Sequence, residues 1–473
     1  MPIVNYSEKE IKRAYQVICP LCGAFKGKKC KHTGKDRKGE LRKEPHPDRV
    51  RLSTVKIKVS KEIRGHEEKP KKNPHDKLTP EQKEVVGTIK DKIAVLGRRA
   101  EFVGPVSTGP VIDTYRFLPV GNTKVAHMEA MHKDFAVALG AESVLVKRMP
   151  GESAVGVFVP KKNRKKVLFS DTLPNVAKFM KEPTDDGHKV IPLNLGIDSN
   201  GDPLVDDLVV QPHLLIAGST HSGKSTCETA IALSILWNMS PDELKVIISD
   251  TKGVEFKAFK DIPHLQFPIC TDVFKTMGAL AWCIAETQTR LNLFANADVR
   301  NIHEYNERQI SEGKIPYIVI FIDELADVIA EGPDVDRGDA KSNASKLGTI
   351  VARSRASGIH VIAATQRPSV NIVKGSIKSN FPSRLSFKLP SSADSRTVLS
   401  TKGAESLLKC GDGLYQNSGT SNLLRIHAPY TSLDELKTTI EGIMQRHSPN
   451  IVESKVGTVG TEKQSTLNWT KPN

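Results

Sequence analysis

The run Gly218-Ser219-Thr220-His221-Ser222-Gly223-Lys224-Ser225-Thr226 sets two glycines, a lysine and a hydroxyl at the spacing G-x4-G-K-S. Gly218 and Gly223 permit the dihedrals that turn successive N–H groups inward around phosphates, and the start of a following helix adds positive potential. The nine residues therefore read as a cradle for a nucleoside triphosphate such as ATP. In it Lys224 reaches the β- and γ-phosphates and the Ser225 hydroxyl ligates Mg²⁺. Thr226 reads as a helix residue beside these groups, and His221 fills a variable position.

About a hundred residues later an apolar strand, Tyr317-Ile-Val-Ile-Phe-Ile, ends in Asp323-Glu324. Carboxylates at that end of a parallel strand project into the crevice where open α/β sheets bind ligands. Asp323 then serves Mg²⁺ directly or through water, and Glu324 is the base that polarises an attacking water. The acidic first turn of an ordinary helix would leave the same trace, but the cradle upstream favours catalysis. A third strand, Gly358-Ile-His-Val-Ile-Ala-Ala, ends in Thr365-Gln366-Arg367-Pro368. There Gln366 is placed to sense the γ-phosphate or to position water.

A second constellation lies near the start. Cys19-Pro-Leu-Cys22 is followed by Cys30, His32 and His46. A C-x2-C knuckle sets two thiolates on one side of a tetrahedral Zn²⁺, and Cys30 with one histidine closes the shell. His46 is the preferred fourth ligand and His32 the alternative, because Cys30 and His32 are separated by a single residue.

The elements that must hold these groups can be read coarsely. Residues 1–55 form the basic, metal-stapled module and residues 56–80 a charged, proline-containing linker. Thr79-Pro-Glu-Gln has the pattern of a helix start. After that helix come extended segments between Glu101 and Phe117, a helix over His127 to Leu139, and strands at Ser143–Lys147 and Ala154–Pro160. Together they make an α+β subdomain over 81–195. From residue 196 to 431 strands alternate with helices, the signature of a parallel sheet with crossovers. A helix from Leu433 to about Arg446 and a polar tail complete 432–473.

Composition narrows the class. The 473 residues are 38% hydrophobic and 26% charged, and no apolar run approaches the roughly 18 residues needed to span a bilayer. The first residues reach charge at once and lack the apolar core of a secretory signal, so a cytoplasmic location is expected. The formal charge of +15 is concentrated: residues 1–80 hold 22 Lys and Arg against 10 Asp and Glu, a surplus of twelve, which leaves +3 for the rest. A basic block displaces counterions from nucleic acid, although it would also serve as a merely solubilising tail.

Several stretches carry a resemblance. Ala364-Thr-Gln-Arg-Pro-Ser-Val-Asn, Ile377-Lys-Ser-Asn-Phe-Pro-Ser-Arg384, Ser391-Ser-Ala-Asp-Ser-Arg396 and Gly403-Ala-Glu-Ser-Leu-Leu resemble the motor of the FtsK/SpoIIIE family of double-stranded DNA translocases. Pro212-His-Leu-Leu-Ile-Ala-Gly, Gly109-Pro-Val-Ile-Asp-Thr-Tyr and Pro150-Gly-Glu-Ser-Ala-Val-Gly agree, and the likeness covers about residues 80 to 430. The cysteine segment with His46-Pro-Asp-Arg49 resembles a small zinc finger of phage and actinobacterial DNA-associated proteins.

These resemblances imply an α/β fold: a RecA-like P-loop NTPase behind an α+β motor subdomain and a zinc module. They also imply a hexameric ring around duplex DNA, with ATP hydrolysed between subunits. Such a site takes a cation from its neighbour, for which Arg384 is the first candidate and Arg396 and Arg355 are alternatives. Many members carry a membrane anchor and a C-terminal winged-helix domain, neither of which is expected here. This points to a phage, plasmid or mobile-element relative. A conjugative coupling ATPase and a DNA-binding ATPase switch without translocation are the competing readings.

Overall fold

A computed structural model describes residues 78–149, 151–308, 313–329, 337–373, 375–419 and 422–447. The zinc ligands expected at Cys19, Cys22, Cys30 and His46 lie outside the described residues, as do nearly all of the linker and the polar tail. The chain divides into Met1–Asp76 and Lys77–Asn473, and only the second unit is described below.

Its first helix, Pro80–Val95, starts as the sequence requires. The Thr79 hydroxyl accepts from the Gln82 N–H at 3.2 Å, while the Gln82 side chain accepts from the Thr79 N–H at 3.1 Å. Pro80 fills the first helical position, where a missing N–H costs nothing. Thr79→Ala is expected to lower stability by about 1 kcal/mol, measured by urea unfolding.

Val86, Ile89 and Ile93 of this helix pack in one core with Phe102, Tyr115, Phe117, Phe135 and Val157. Phe135 is helical; the others come from an antiparallel sheet of β1 (Ala100–Phe102), β2 (Ser107–Thr108), β3 (Ile112–Pro119), β4 (Leu145–Arg148) and β5 (Val155–Pro160). Its order is β1-β3-β5-β4, with β2 paired to β3. The single helix expected over His127 to Leu139 is two, Val125–Ala130 and His132–Ala138. Met131 leaves helical dihedrals as its side chain turns into the core, and its N–H bonds Met128 O in a tighter turn.

The second sheet has nine strands: β6 (Pro192–Asp198), β7 (Pro203–Asp207), β8 (His213–Ala217), β9 (Leu244–Ser249), β10 (Tyr317–Ile322), β11 (Ile359–Thr365), β12 (Ser383–Phe387), β13 (Asp412–Gln416) and β14 (Leu424–His427). Their order is β7-β6-β14-β13-β12-β8-β11-β10-β9. The pairs from β12 across to β9 are parallel, as the alternating pattern demands. Every residue of β8, β10 and β11 is buried, the continuous apolar run typical of a strand covered on both faces.

The other four strands add an antiparallel flank that the parallel reading did not contain. Its polar residues disguise its burial. Arg425 on β14 makes a bidentate pair with Asp412 on β13, at 2.9 and 2.7 Å, and both side chains are inaccessible.

Helices cover both faces. Lys224–Asn238 and Leu433–His447 share one core with β6, while Val273–Asn296 and residues around Leu347 and Ile350 share the other. Because β8, β11 and β10 are adjacent and parallel, the three loops leaving their carboxyl ends emerge along one edge.

Candidate active site

The chain leaves β8 through Gly218 and enters the helix at Lys224. At Gly218 a Cβ would sit 2.4 Å from Ser222 Oγ and 2.9 Å from Phe387 Cβ, so only glycine fits. Gly223 has φ +109° and presses on a distant turn: a Cβ there would lie 2.4 Å from the main-chain nitrogen of Gly411. That turn is bonded to the loop, since the Gly411 N–H donates to Ser222 O at 2.8 Å. The Ser219 N–H and hydroxyl both donate to Lys388 O beyond β12, each at 3.0 Å. His221 takes the left-handed φ of +62°. The first-turn N–H groups of the helix have no intrahelical acceptors.

Three contacts close a circuit around this loop. First, the Lys224 ammonium donates to Asp323 Oδ1 at 2.8 Å and to Asp323 O at 3.0 Å. Second, Glu324, also buried, is gripped by the tip of β11. It accepts from the Thr365 hydroxyl at 2.7 Å and from the Gln366 N–H at 3.0 Å. Third, the Thr220 hydroxyl donates to Gln366 Oε1 at 3.2 Å, which returns the circuit to the loop. Lys224, Asp323, Glu324 and Gln366 are thus brought together from positions up to 142 residues apart.

The sequence reading missed further members. Ser225 Oγ donates to Glu255 Oε1 at 2.8 Å, from the loop after β9. The same loop brings Lys252 to 3.8 Å from Glu324. Glu228, one turn below Lys224, is inaccessible, and its Oε2 lies 3.7 Å from the ammonium. Burial pushes its carboxyl up to about 8, against the opposing pull of Lys224. Burial also works against the charge on Lys224, but Glu228 and Asp323 more than offset this and hold it above the usual lysine value. A glutamate between Cys227 and Ala230 on an otherwise apolar helix was the available signal for this residue.

Arg384 is not part of the circuit. It sits near the start of β12, half-buried, and donates to Phe381 O at 3.0 Å and Lys378 O at 2.6 Å. Burial lowers its pKa. Arg355 and Arg396 are exposed.

The donor set suits Mg²⁺. Ser225 and Asp323 offer hard oxygens, and Asp323 Oδ2 is buried without a hydrogen-bond partner. Among the described residues no group of three or more His, Cys, Asp or Glu has metal-binding geometry. Mg²⁺ in nucleotide sites is held by one or two side chains plus phosphates.

A glycine loop between a buried strand and a helix, with a buried acidic pair two strands away and a glutamine at the tip of the strand between, is the arrangement of a P-loop NTPase fold of the RecA-like class. Family models make the assignment narrower: FtsK/SpoIIIE family over residues 176–370, FtsK alpha domain over 51–161, and a DNA-binding phage zinc finger domain over 9–61. Residues 51–161 and 176–370 thus match the alpha domain and the motor of the FtsK/SpoIIIE family.

DNA translocase FtsK of Helicobacter pylori (strain J99) is 39% identical over 339 residues, which cover 71% of this chain and 39% of that protein. The Borreliella burgdorferi protein of the same name is 40% identical over 353 residues, 74% of this chain and 43% of that one. The chain thus spans less than half the length of these relatives. Among solved structures, the pCW3 conjugation coupling protein TcpA with ATPγS matches with a TM-score of 0.53 at 21% identity, covering 77% of this chain and 99% of that one. The cytoplasmic domain of the Thermomonospora curvata type VII secretion ATPase EccC gives 0.50 at 18% identity, covering 59% and 34%. At such identity these two show the fold. No helix among the described residues is long and apolar enough to cross a membrane.

Proposed function

We propose that this chain hydrolyses ATP to move double-stranded DNA, working in the cytoplasm as a ring of subunits, in the hexameric form that the family resemblance implies. Its DNA would be that of a phage, plasmid or other mobile element. The observation that carries the reading is the closed circuit of Lys224, Asp323, Glu324 and Gln366 around the glycine loop.

When nucleotide enters, Lys224 leaves Asp323 for the β- and γ-phosphates; Ser225 and Asp323 are the residues that would hold Mg²⁺. The ion would neutralise charge on the phosphate oxygens. Glu324, oriented by Thr365 and the Gln366 N–H, takes the proton of the attacking water. Gln366 reports the state of the γ-phosphate to the loop through Thr220. A neighbouring subunit supplies Arg384, or else Arg355 or Arg396, to the transferring phosphoryl group. To serve in this way Arg384 must give up the carbonyls of Lys378 and Phe381. Cys19, Cys22, Cys30 and His46 hold Zn²⁺ in a basic module that recruits DNA. The surplus of twelve positive charges in residues 1–80 and the zinc finger match over 9–61 support that role.

ATP hydrolysis measured with and without linear duplex DNA tests the proposal. Duplex DNA is expected to raise the rate severalfold, with stimulation falling as salt rises. A rate indifferent to DNA would overturn translocation and leave an ATPase switch.

A further inference from the structure

Glu228 has no part in the reaction outlined above, yet it occupies a costly position. It is 1% exposed, and neither carboxylate oxygen has a hydrogen-bond partner. It lies one helical turn after Lys224, with Oε2 3.7 Å from the lysine ammonium. The charged groups around it are Lys224 on its own helix, Asp323 after β10, and Asp250 and Glu255 on the loop after β9. The neighbouring Cys227 thiol is raised by burial and stays neutral. Lys224 is the only cation in this set, and its ammonium lies 2.8 Å from Asp323 and 3.7 Å from Glu228.

We propose that Glu228 is a positioning residue that competes with nucleotide phosphate for Lys224, holding the ammonium beside the buried carboxylates and so lowering nucleotide affinity. The inference rests on the reading of Lys224 as the phosphate-binding lysine. When the ammonium turns to phosphate, Glu228 loses its cation. A buried carboxylate with neither counter-ion nor hydrogen bond must take a proton or leave the bound state strained. Burial pushes the carboxyl up to about 8 even with Lys224 beside it. Below that pH it is already protonated and nucleotide binds without hindrance. Above it, binding must be accompanied by proton uptake, and affinity falls by up to tenfold per pH unit.

Equilibrium binding of Mg-ATPγS to the full chain and to Glu228→Gln between pH 7 and 9 tests this. At pH 7 the two should bind within about threefold of each other. At pH 9 the variant should bind about tenfold more tightly, because the amide is neutral throughout. In steady-state hydrolysis at pH 9 the variant should lower KM more than it changes kcat. Glu228→Leu should behave in the same direction, and thermal melts of both variants show whether they are folded. Parallel affinities across the range, or weaker binding by the folded variants at pH 9, would overturn the competition. Failure of the unaltered chain to bind Mg-ATPγS at all would instead overturn the underlying reading of the site.

Discussion

Lys224→Ala is expected to reduce ATP hydrolysis at least about a thousandfold, since it removes the one cation aimed at the phosphates from inside the loop. The structure adds a second cost. The ammonium lies between Asp323 at 2.8 Å and Glu228 at 3.7 Å, all three buried. Its removal leaves the Asp323 carboxylate buried without its cation, a change that costs about 3–5 kcal/mol for a broken buried pair. The variant should therefore melt earlier than the parent protein as well as lose turnover. Hydrolysis assays alone would confound the two effects. Assays paired with thermal melts, and repeated with the double variant Lys224→Ala/Asp323→Asn, separate them, because the second change should restore part of the stability and none of the activity. Lys224→Ala turning over ATP within tenfold of the parent rate would remove the basis for the proposed site.

Glu324→Gln should behave differently: turnover falls by about 10²–10⁴ while nucleotide binding persists. The amide keeps the shape of the carboxylate but cannot accept a proton from water. One of its two ends becomes a donor, so one of the contacts from Thr365 and the Gln366 N–H is lost. That loss is worth about 1 kcal/mol of stability, far less than the effect on the chemical step. Single-turnover hydrolysis together with binding of a fluorescent ATP analogue would show bound, uncleaved nucleotide. Cleavage at the parent rate would mean that Glu324 is a structural residue clamping β10 to β11.

The cradle and the acidic pair were legible because their chemistry is written in contiguous residues. Gly218, Gly223 and Lys224 lie within seven positions, and Asp323-Glu324 follows an unbroken apolar strand. Glu255 and the turn at Cys410-Gly411 act only through juxtaposition across the fold, and no local pattern announces that Ser225 will meet one or Gly223 the other. The parallel strands were visible as apolar runs, whereas β13 and β14 hide Asp412, Arg425 and His427 inside short segments that look half-polar. Their burial depends on a pairing between strands, which sequence spacing does not encode. The break at Met131 was missed for a related reason: the helical pattern is continuous there, and the core, not the local sequence, turns the chain.

The order of strands bears on how the protein is made. β8 lies inside the nine-stranded sheet, yet both of its neighbours, β11 and β12, follow it by long intervals in the chain. Ile359, which opens β11, comes about 140 residues after Ala217, so at a synthesis rate of ~5–20 residues per second β8 waits on the order of ten seconds for a partner. During that interval β9 and β10 can pair with each other, and β8 can dock only against the helix that follows it. The emerging chain then holds two pieces of sheet with a strand-wide gap between them. β11 fills the gap, pairing with β10 on one side and β8 on the other. The seven residues Ile359–Thr365 thus join the two pieces of sheet at the moment they deliver Thr365 to Glu324, and β12 then pairs with the other side of β8. A nascent chain that has not yet reached them has neither the scaffold nor the chemistry.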